Sequence, residues 1–208
     1  MLNSQGFDLW ADGYDRSVQL SEEADSYPFA GYRQVLGTVY RLIREGEGRR
    51  VLDIGFGTAV LSGRLYQEGY DITGLDFSPR MLELAREKMP GTRLLLWDFT
   101  RGLPPELAGE RFDAIVCTYA SHHLTEDEKS GFIRGLLECL TPGGRLLIGD
   151  VAFESREQLE RCRLMSGDEW DEEEYYPVAE ELRQDFPALR FLPCSHCAAV
   201  LIFEKKLS

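Results

Sequence analysis

The chain has 208 residues, 43% of them hydrophobic, and 36 Asp and Glu against 23 Lys and Arg give a net charge of -13. That length and apolar content fit one domain with a full core, and the lack of a long apolar stretch or N-terminal signal pattern predicts a soluble cytoplasmic protein. The acidic excess argues against a nucleic-acid acceptor, because phosphate backbones are held by clustered Lys and Arg, and leaves a small molecule as the expected partner.

The chain opens on a predicted helical cap over residues 1–45. Phe7, Trp10, Tyr14 and Val18 recur at helical spacing, and Tyr32, Val35, Leu36, Val39, Leu42 and Ile43 repeat the pattern in a second helix. Trp10 and Tyr14 read either as core or, on a helix lying across a ligand crevice, as a shield over a bound cation; Tyr14 is the candidate cofactor contact. Strands are predicted near 50–54, 70–75, 93–97, 112–118 and 144–150, with helices near 59–68, 79–88 and 126–140 between them. Gly69, Pro90-Gly91 and Thr141-Pro142-Gly143-Gly144 punctuate this alternation as stops and turns.

After the fifth strand the pattern gives a helix over Glu154 to Met165, an acidic loop from Asp168 to Glu174, and a helix from Pro177 to near Phe186. Leu189 to Ser195 and Ala198 to Glu204 close the chain as two antiparallel strands. The expected architecture is α/β and Rossmann-like, a seven-stranded sheet that is mostly parallel with one antiparallel edge strand and helices on both faces. One domain, 1–208, is expected to comprise the cap, a cofactor-binding core over 46–153 and acceptor-side helices and strands over 154–208.

The chemistry concentrates in Val51-Leu52-Asp53-Ile54-Gly55-Phe56-Gly57-Thr58-Ala59, an apolar strand that ends in an acid and a glycine-rich turn before a helix. Gly55 and Gly57 permit backbone angles and a close approach that a side chain forbids, so a ligand can lie against bare peptide. A dinucleotide fingerprint needs a third glycine where Val60 stands, and Asp53 would repel a phosphate. A cationic ligand suits the site better. S-adenosylmethionine, with an ammonium and a sulfonium, is complementary to Asp53 and the glycine turn.

The next two strands end in the same way. Asp76, followed by Phe77, closes Ile72-Thr73-Gly74-Leu75 and can accept both hydroxyls of a ribose, a feature shared by NAD and S-adenosylmethionine. Asp98 and Phe99 follow Leu94-Leu95-Leu96-Trp97, an acid to accept from an adenine amino group and an aromatic ring to cover the base.

VLDIGFGTA, GLDFSPRML, LWDF, FDAIVCTYASHHL and LTPGGRLLIGD, in this order and at these separations, resemble the class I S-adenosylmethionine-dependent methyltransferases over nearly the whole chain. FDLWADGYDRSV, TYASHHLTEDEK and EEEYYP narrow the resemblance to a small bacterial group of uncharacterised, YrrT-like methyltransferases. The resemblance implies transfer of a methyl group to an acceptor, with Gly55, Asp76 and Asp98 at cofactor-contacting positions. Ala59 departs from it, standing where many members have a third glycine.

The acceptor is expected outside the carboxyl ends of the strands, at the switch point between the first and fourth. The fourth strand runs into Tyr119-Ala120-Ser121-His122-His123, which makes Tyr119 and His122 the catalytic candidates. Tyr119 either faces the reacting methyl or only packs on the cofactor; a histidine either acts as a base or caps the helix starting near Thr125. Trp170, Tyr175 and Tyr176 are candidates for the far wall of the acceptor pocket, and the acid run beside them is either a solvated face or a wall suited to an amine. Cys117, Cys139 and Cys162 read as small buried hydrophobes. Cys194-Ser195-His196-Cys197 has metal-like spacing without a second pair to complete four ligands, so no metal is expected. A protein that binds the cofactor without catalysis and a nucleotide-dependent oxidoreductase are the rival readings.

Overall fold

The structure, a computed structural model, describes residues 26–206. The helix predicted around Phe7, Trp10, Tyr14 and Val18 lies outside the described residues. Seven strands, β1 (Arg50–Ile54), β2 (Asp71–Asp76), β3 (Arg93–Leu96), β4 (Phe112–Thr118), β5 (Leu140–Val151), β6 (Arg190–Pro193) and β7 (Ala198–Glu204), form one sheet in the order β3-β2-β1-β4-β5-β7-β6. The first five run parallel, while β7 is antiparallel to both β5 and β6. The reversed strand thus belongs to the expected edge of the sheet, with β6 outside it.

Alternation along each strand assigns its side chains to two faces. Val51, Ile72, Leu94, Val116, Leu147 and Val200 share one buried cluster with residues of α1 (Tyr32–Arg44), α2 (Val60–Gln67) and α3 (Pro79–Lys88). Leu52, Ile54, Leu75, Ile115, Leu146, Ile148 and Leu201 share the other with α4 (Glu126–Glu138) and α6 (Ala179–Asp185). The central strands are buried on both faces, which is why they read as apolar runs rather than as alternating ones. At Gly149 a Cβ would stand 2.5 Å from Cγ1 of Val35, so the bare backbone of β5 is what lets α1 lie close to the sheet.

Helix ends follow local chemistry. Ser78 caps α3 by accepting from Met81 N at 3.1 Å, and Pro79 sits in the first turn, where a missing N–H costs nothing. Thr125 and Glu128 form a reciprocal capping box on α4, so Thr125, not a histidine, is that helix's cap. Ser155 caps α5 (Arg156–Ser166).

Two predicted boundaries move. β5 starts at Leu140, because Phe112 pairs with Leu140 and the register shifts across the Thr-Pro-Gly-Gly stretch instead of breaking there. α6 starts at Ala179 rather than Pro177: Phe153 N donates to Pro177 O at 3.0 Å and Ala179 N donates to Phe153 O at 2.8 Å, drawing this segment into a parallel bridge beside the end of β5. Among the described residues no helix is long and apolar enough to cross a membrane.

Candidate active site

Parallel register brings the carboxyl ends of the central strands level. Ile54 of β1 lies beside Leu75 of β2 and Cys117 of β4, and Thr118 lies beside Gly149 of β5. Asp53, Asp76, Tyr119 and Asp150 therefore gather at one end of the sheet, where a cavity of about 410 Å³ opens at the switch point between β1 and β4. Asp53, Gly55, Gly57, Asp76, Phe77, Phe99, Tyr119 and His122 all line it.

Gly55 has φ +69°, and a Cβ there would meet Cβ of Ala120 at 2.6 Å, so the turn after β1 can touch the end of β4 only with glycine in this place. Asp76 braces the same turn. Its Oδ2 accepts from Gly57 N and its Oδ1 from Ser78 N, each at 2.9 Å. Ala59 occupies the left-handed region with φ +55°, a conformation that costs an L-residue about 1–2 kcal/mol. It leaves α2 without a side-chain cap among the described residues.

Asp53 is buried, and its Oδ2 accepts from Ser62 Oγ. Its Oδ1 has no hydrogen-bond partner among the described residues. Burial first, and then the neighbouring Asp76 charge, push this carboxyl up to about 7 against the pull of Ser62. A buried acceptor without a donor beside a glycine turn is what a ligand ammonium would satisfy.

Asp98 departs from its predicted place. Its Oδ1 accepts from Thr100 N at 3.1 Å and Thr100 Oγ1 at 2.6 Å, its Oδ2 lies 3.4 Å from Nε of Arg101, and it does not line the cavity, whereas Phe99 does. A short acid beginning a turn caps that turn before it reaches further. Tyr14 lies outside the described residues.

At the acceptor end, Tyr119 takes φ +50°, and its ring packs 5.5 Å from Phe29 and 5.1 Å from Tyr32. Tyr32, read from its spacing as a core residue, lines the cavity instead. His122 is held from both ends. Nδ1 lies 2.7 Å from Oδ1 of Asp150, whose Oδ2 accepts from Ser121 Oγ at 2.6 Å and His122 N at 3.2 Å. Nε2 lies 3.5 Å from Oε1 of Glu174. Burial pulls the imidazole down, but the charges of Asp150 and Glu174 and the Asp150 hydrogen bond outweigh it and raise it overall. Burial likewise opposes ionisation of Asp150, yet His122, Ser121 and Lys129 bring it below the usual carboxylate range. His123, in edge contact with His122 at 4.3 Å, is brought down to about 3 by burial and the His122 charge.

The acidic loop is exposed at Asp168, Glu169, Asp171, Glu172 and Glu173, and it also forms part of the cavity wall. Tyr175 N donates to His122 O at 2.9 Å and Asp171 N donates to the Tyr27 hydroxyl at 3.1 Å, so the loop is tied across the cavity. Glu169, Asp171, Glu173 and Glu174 face the cavity, while Glu172 turns away to pair with Arg163 at 2.7 Å. The predicted aromatic wall is inverted. Trp170 stacks on Tyr27 at 5.1 Å and Tyr176 joins the cluster around Phe153, so these rings buttress the acids from behind. Tyr175 is exposed. Asp150 and Glu174 were not among the candidates; Asp150 carries the same mark as Asp53 and Asp76, an acid closing a buried strand.

Residues 51–144 match the family model described as a methyltransferase domain. Among solved structures, DesVI of Streptomyces venezuelae superposes with a TM-score of 0.68 at 19% identity, covering 94% of this chain and 98% of that one. Magnesium protoporphyrin IX methyltransferase (ChlM) of Synechocystis PCC 6803, solved with bound SAH, gives 0.66 at 20% identity over 86% of this chain and 85% of its own. The fold is that of the class I methyltransferases. The chain belongs to a family of bacterial methyltransferases that includes the uncharacterised methyltransferase OB1106 of Oceanobacillus iheyensis, 34% identical over 89% of this chain and 87% of that protein. YrrT of Bacillus subtilis, also named as uncharacterised, is 31% identical over the same shares.

Proposed function

We propose that the protein uses S-adenosylmethionine to methylate a small molecule. The observation that carries this reading is the Oδ1 atom of Asp53, buried and without a hydrogen-bond donor among the described residues, on a residue that lines the cavity. The donor supplies an electrophilic methyl group on a sulfonium, which passes to the acceptor by in-line displacement. Asp53 receives its ammonium, the backbone at Gly55 and Gly57 lets the amino-acid portion lie close, and Asp76 accepts from the ribose hydroxyls. Phe77 and Phe99 supply apolar walls for the base.

Tyr119 and His122 form the acceptor end. Asp150 holds Nδ1 of His122, so the ring's Nε2 faces Glu174 and the cavity. Alignment of the two reactants and exclusion of water are the protein's main contributions, of which alignment alone can supply about 7 kcal/mol or more. The cavity's acidic wall supports a small acceptor over a polynucleotide.

Titration calorimetry with S-adenosylhomocysteine, S-adenosylmethionine and NADH tests the reading: the first two are expected to bind and NADH is not. A protein that binds both sulfur ligands yet transfers no methyl group to any member of a broad metabolite panel would be a binding protein instead.

A further inference from the structure

Among the described residues, two clusters bring three ligand atoms within 4.8 Å of one another: His122, His123 and Glu174, and separately Cys162, His196 and Cys197. The first lines the cavity. Two of its members are held in place by their neighbours. Buried Asp150 pairs with Nδ1 of His122 at 2.7 Å and so leaves Nε2 directed away from it. Tyr176 donates to Oε2 of Glu174 at 2.5 Å and so leaves Oε1 toward His122.

Nε2 of His122 and Oε1 of Glu174 face each other at 3.5 Å. A tetrahedral ion with bonds of about 2.1 Å holds its ligands about 3.4 Å apart, close to the separation found. The spacing is also held by the backbone, because Tyr175 N donates to His122 O and locks the two chain segments together. Glu169, Asp171 and Glu173 add negative charge along the same cavity.

We infer that His122, His123 and Glu174 bind a divalent late transition-metal ion of the zinc class, with a remaining coordination position open to the cavity for the methyl acceptor. Two imidazole nitrogens and one carboxylate favour such an ion over magnesium or calcium, which take oxygen ligands. The acceptor this selects is a hydroxyl or thiol compound. On the ion its O–H or S–H would give up its proton to solvent water, the oxygen or sulfur would use the electron pair it keeps to form the new bond to the methyl carbon, and the carbon–sulfonium bond would break with its pair staying on the sulfur of the departing thioether. An amine would place its only electron pair on the metal. The inference deepens the methyltransferase reading: the ion's role rests on that reading, whereas the site rests on the side chains alone.

The full chain, stripped with a chelator, is titrated with Zn²⁺ by calorimetry and with Co²⁺ by visible absorption. The expected result is one equivalent bound in the micromolar range or tighter, with the absorption bands of low-coordinate cobalt. His123→Ala and Glu174→Gln each weaken binding at least tenfold, while Cys162→Ser leaves it unchanged. Absence of saturable binding below about 1 mM overturns the inference. So does binding that Cys162→Ser abolishes and His123→Ala spares, which places the ion in the cysteine cluster. S-adenosylhomocysteine is titrated into the same samples. Its failure to bind the unsubstituted protein counts against the methyltransferase reading alone, and its retention by the variants shows that they are folded.

Discussion

Nδ1 of His122 and Oδ1 of Asp150 stand 2.7 Å apart in the interior, joining the turn after β4 to the end of β5. The contact sets which ring nitrogen faces Glu174, and it fixes a turn whose backbone N–H also donates to the same carboxylate. A single buried acid therefore organises the acceptor end.

Removing that acid leaves a buried imidazole, the Ser121 hydroxyl and a backbone N–H without their shared partner. Asp150→Ala is expected to cost about 3–5 kcal/mol of stability, read as a lower urea midpoint at unchanged slope. Asp150→Asn, which keeps the shape and an acceptor oxygen, should cost less. Equal stability of Asp150→Ala and the parent protein would contradict the burial and bonding described.

The Asp53 carboxyl sits near 7 in the folded protein against an ordinary value near 3.8. The folded state then holds its proton more tightly than the unfolded chain, so without ligand this group's contribution to stability is largest at low pH and is lost as pH rises through that window. A cationic ligand needs the ionised form. Affinity for S-adenosylhomocysteine, which carries the same ammonium, should rise about tenfold from pH 6 to pH 8, and Asp53→Asn should flatten that slope. An equally steep slope in Asp53→Asn would assign the pH dependence to another group.

The turn after β1 predicts two changes of opposite sign. Gly55→Ala puts a methyl group against Cβ of Ala120 at a positive φ, and a loss of about 2 kcal/mol or more with weakened cofactor binding is expected. Ala59→Gly relieves the left-handed backbone strain at φ +55° and should stabilise by about 0.5–1 kcal/mol. Thermal unfolding of the two variants checks both signs.

The Tyr27 hydroxyl accepts from Asp171 N and bonds the Tyr176 hydroxyl, tying the acidic loop to the segment before α1. Tyr27→Phe should cost about 1–2 kcal/mol and expose residues 167–175 to limited proteolysis. An unchanged cleavage pattern would mean that stacking of Tyr27 on Trp170 is sufficient to hold the loop.

The sheet was legible because parallel strands covered on both faces leave apolar runs, and the gathering of Asp53, Gly55 and Asp76 at one cavity was legible because they lie within or beside those runs. Asp98 was misplaced because an acid before a turn looks the same in sequence whether it reaches a ligand or bonds Thr100. Glu174 was hidden for a different reason. Its place depends on Tyr175 reaching back to His122 O, a contact between distant segments that no local spacing encodes. Trp170 and Tyr176 flank the acidic loop, which suggested a place on the acceptor wall, yet they pack with Tyr27 and Phe153 while Glu169, Asp171, Glu173 and Glu174 line the cavity.

In the proposed function the buried carboxylate at the end of β1 holds the ammonium of S-adenosylmethionine. Calorimetric titration of S-adenosylhomocysteine into the full chain and its Asp53→Asn variant at pH 7.5 tests it most directly. One equivalent bound by the parent, with at least a tenfold loss in Asp53→Asn, is the predicted result. Undiminished affinity in the variant, or saturable binding of NADH in place of the sulfur ligand, would contradict it.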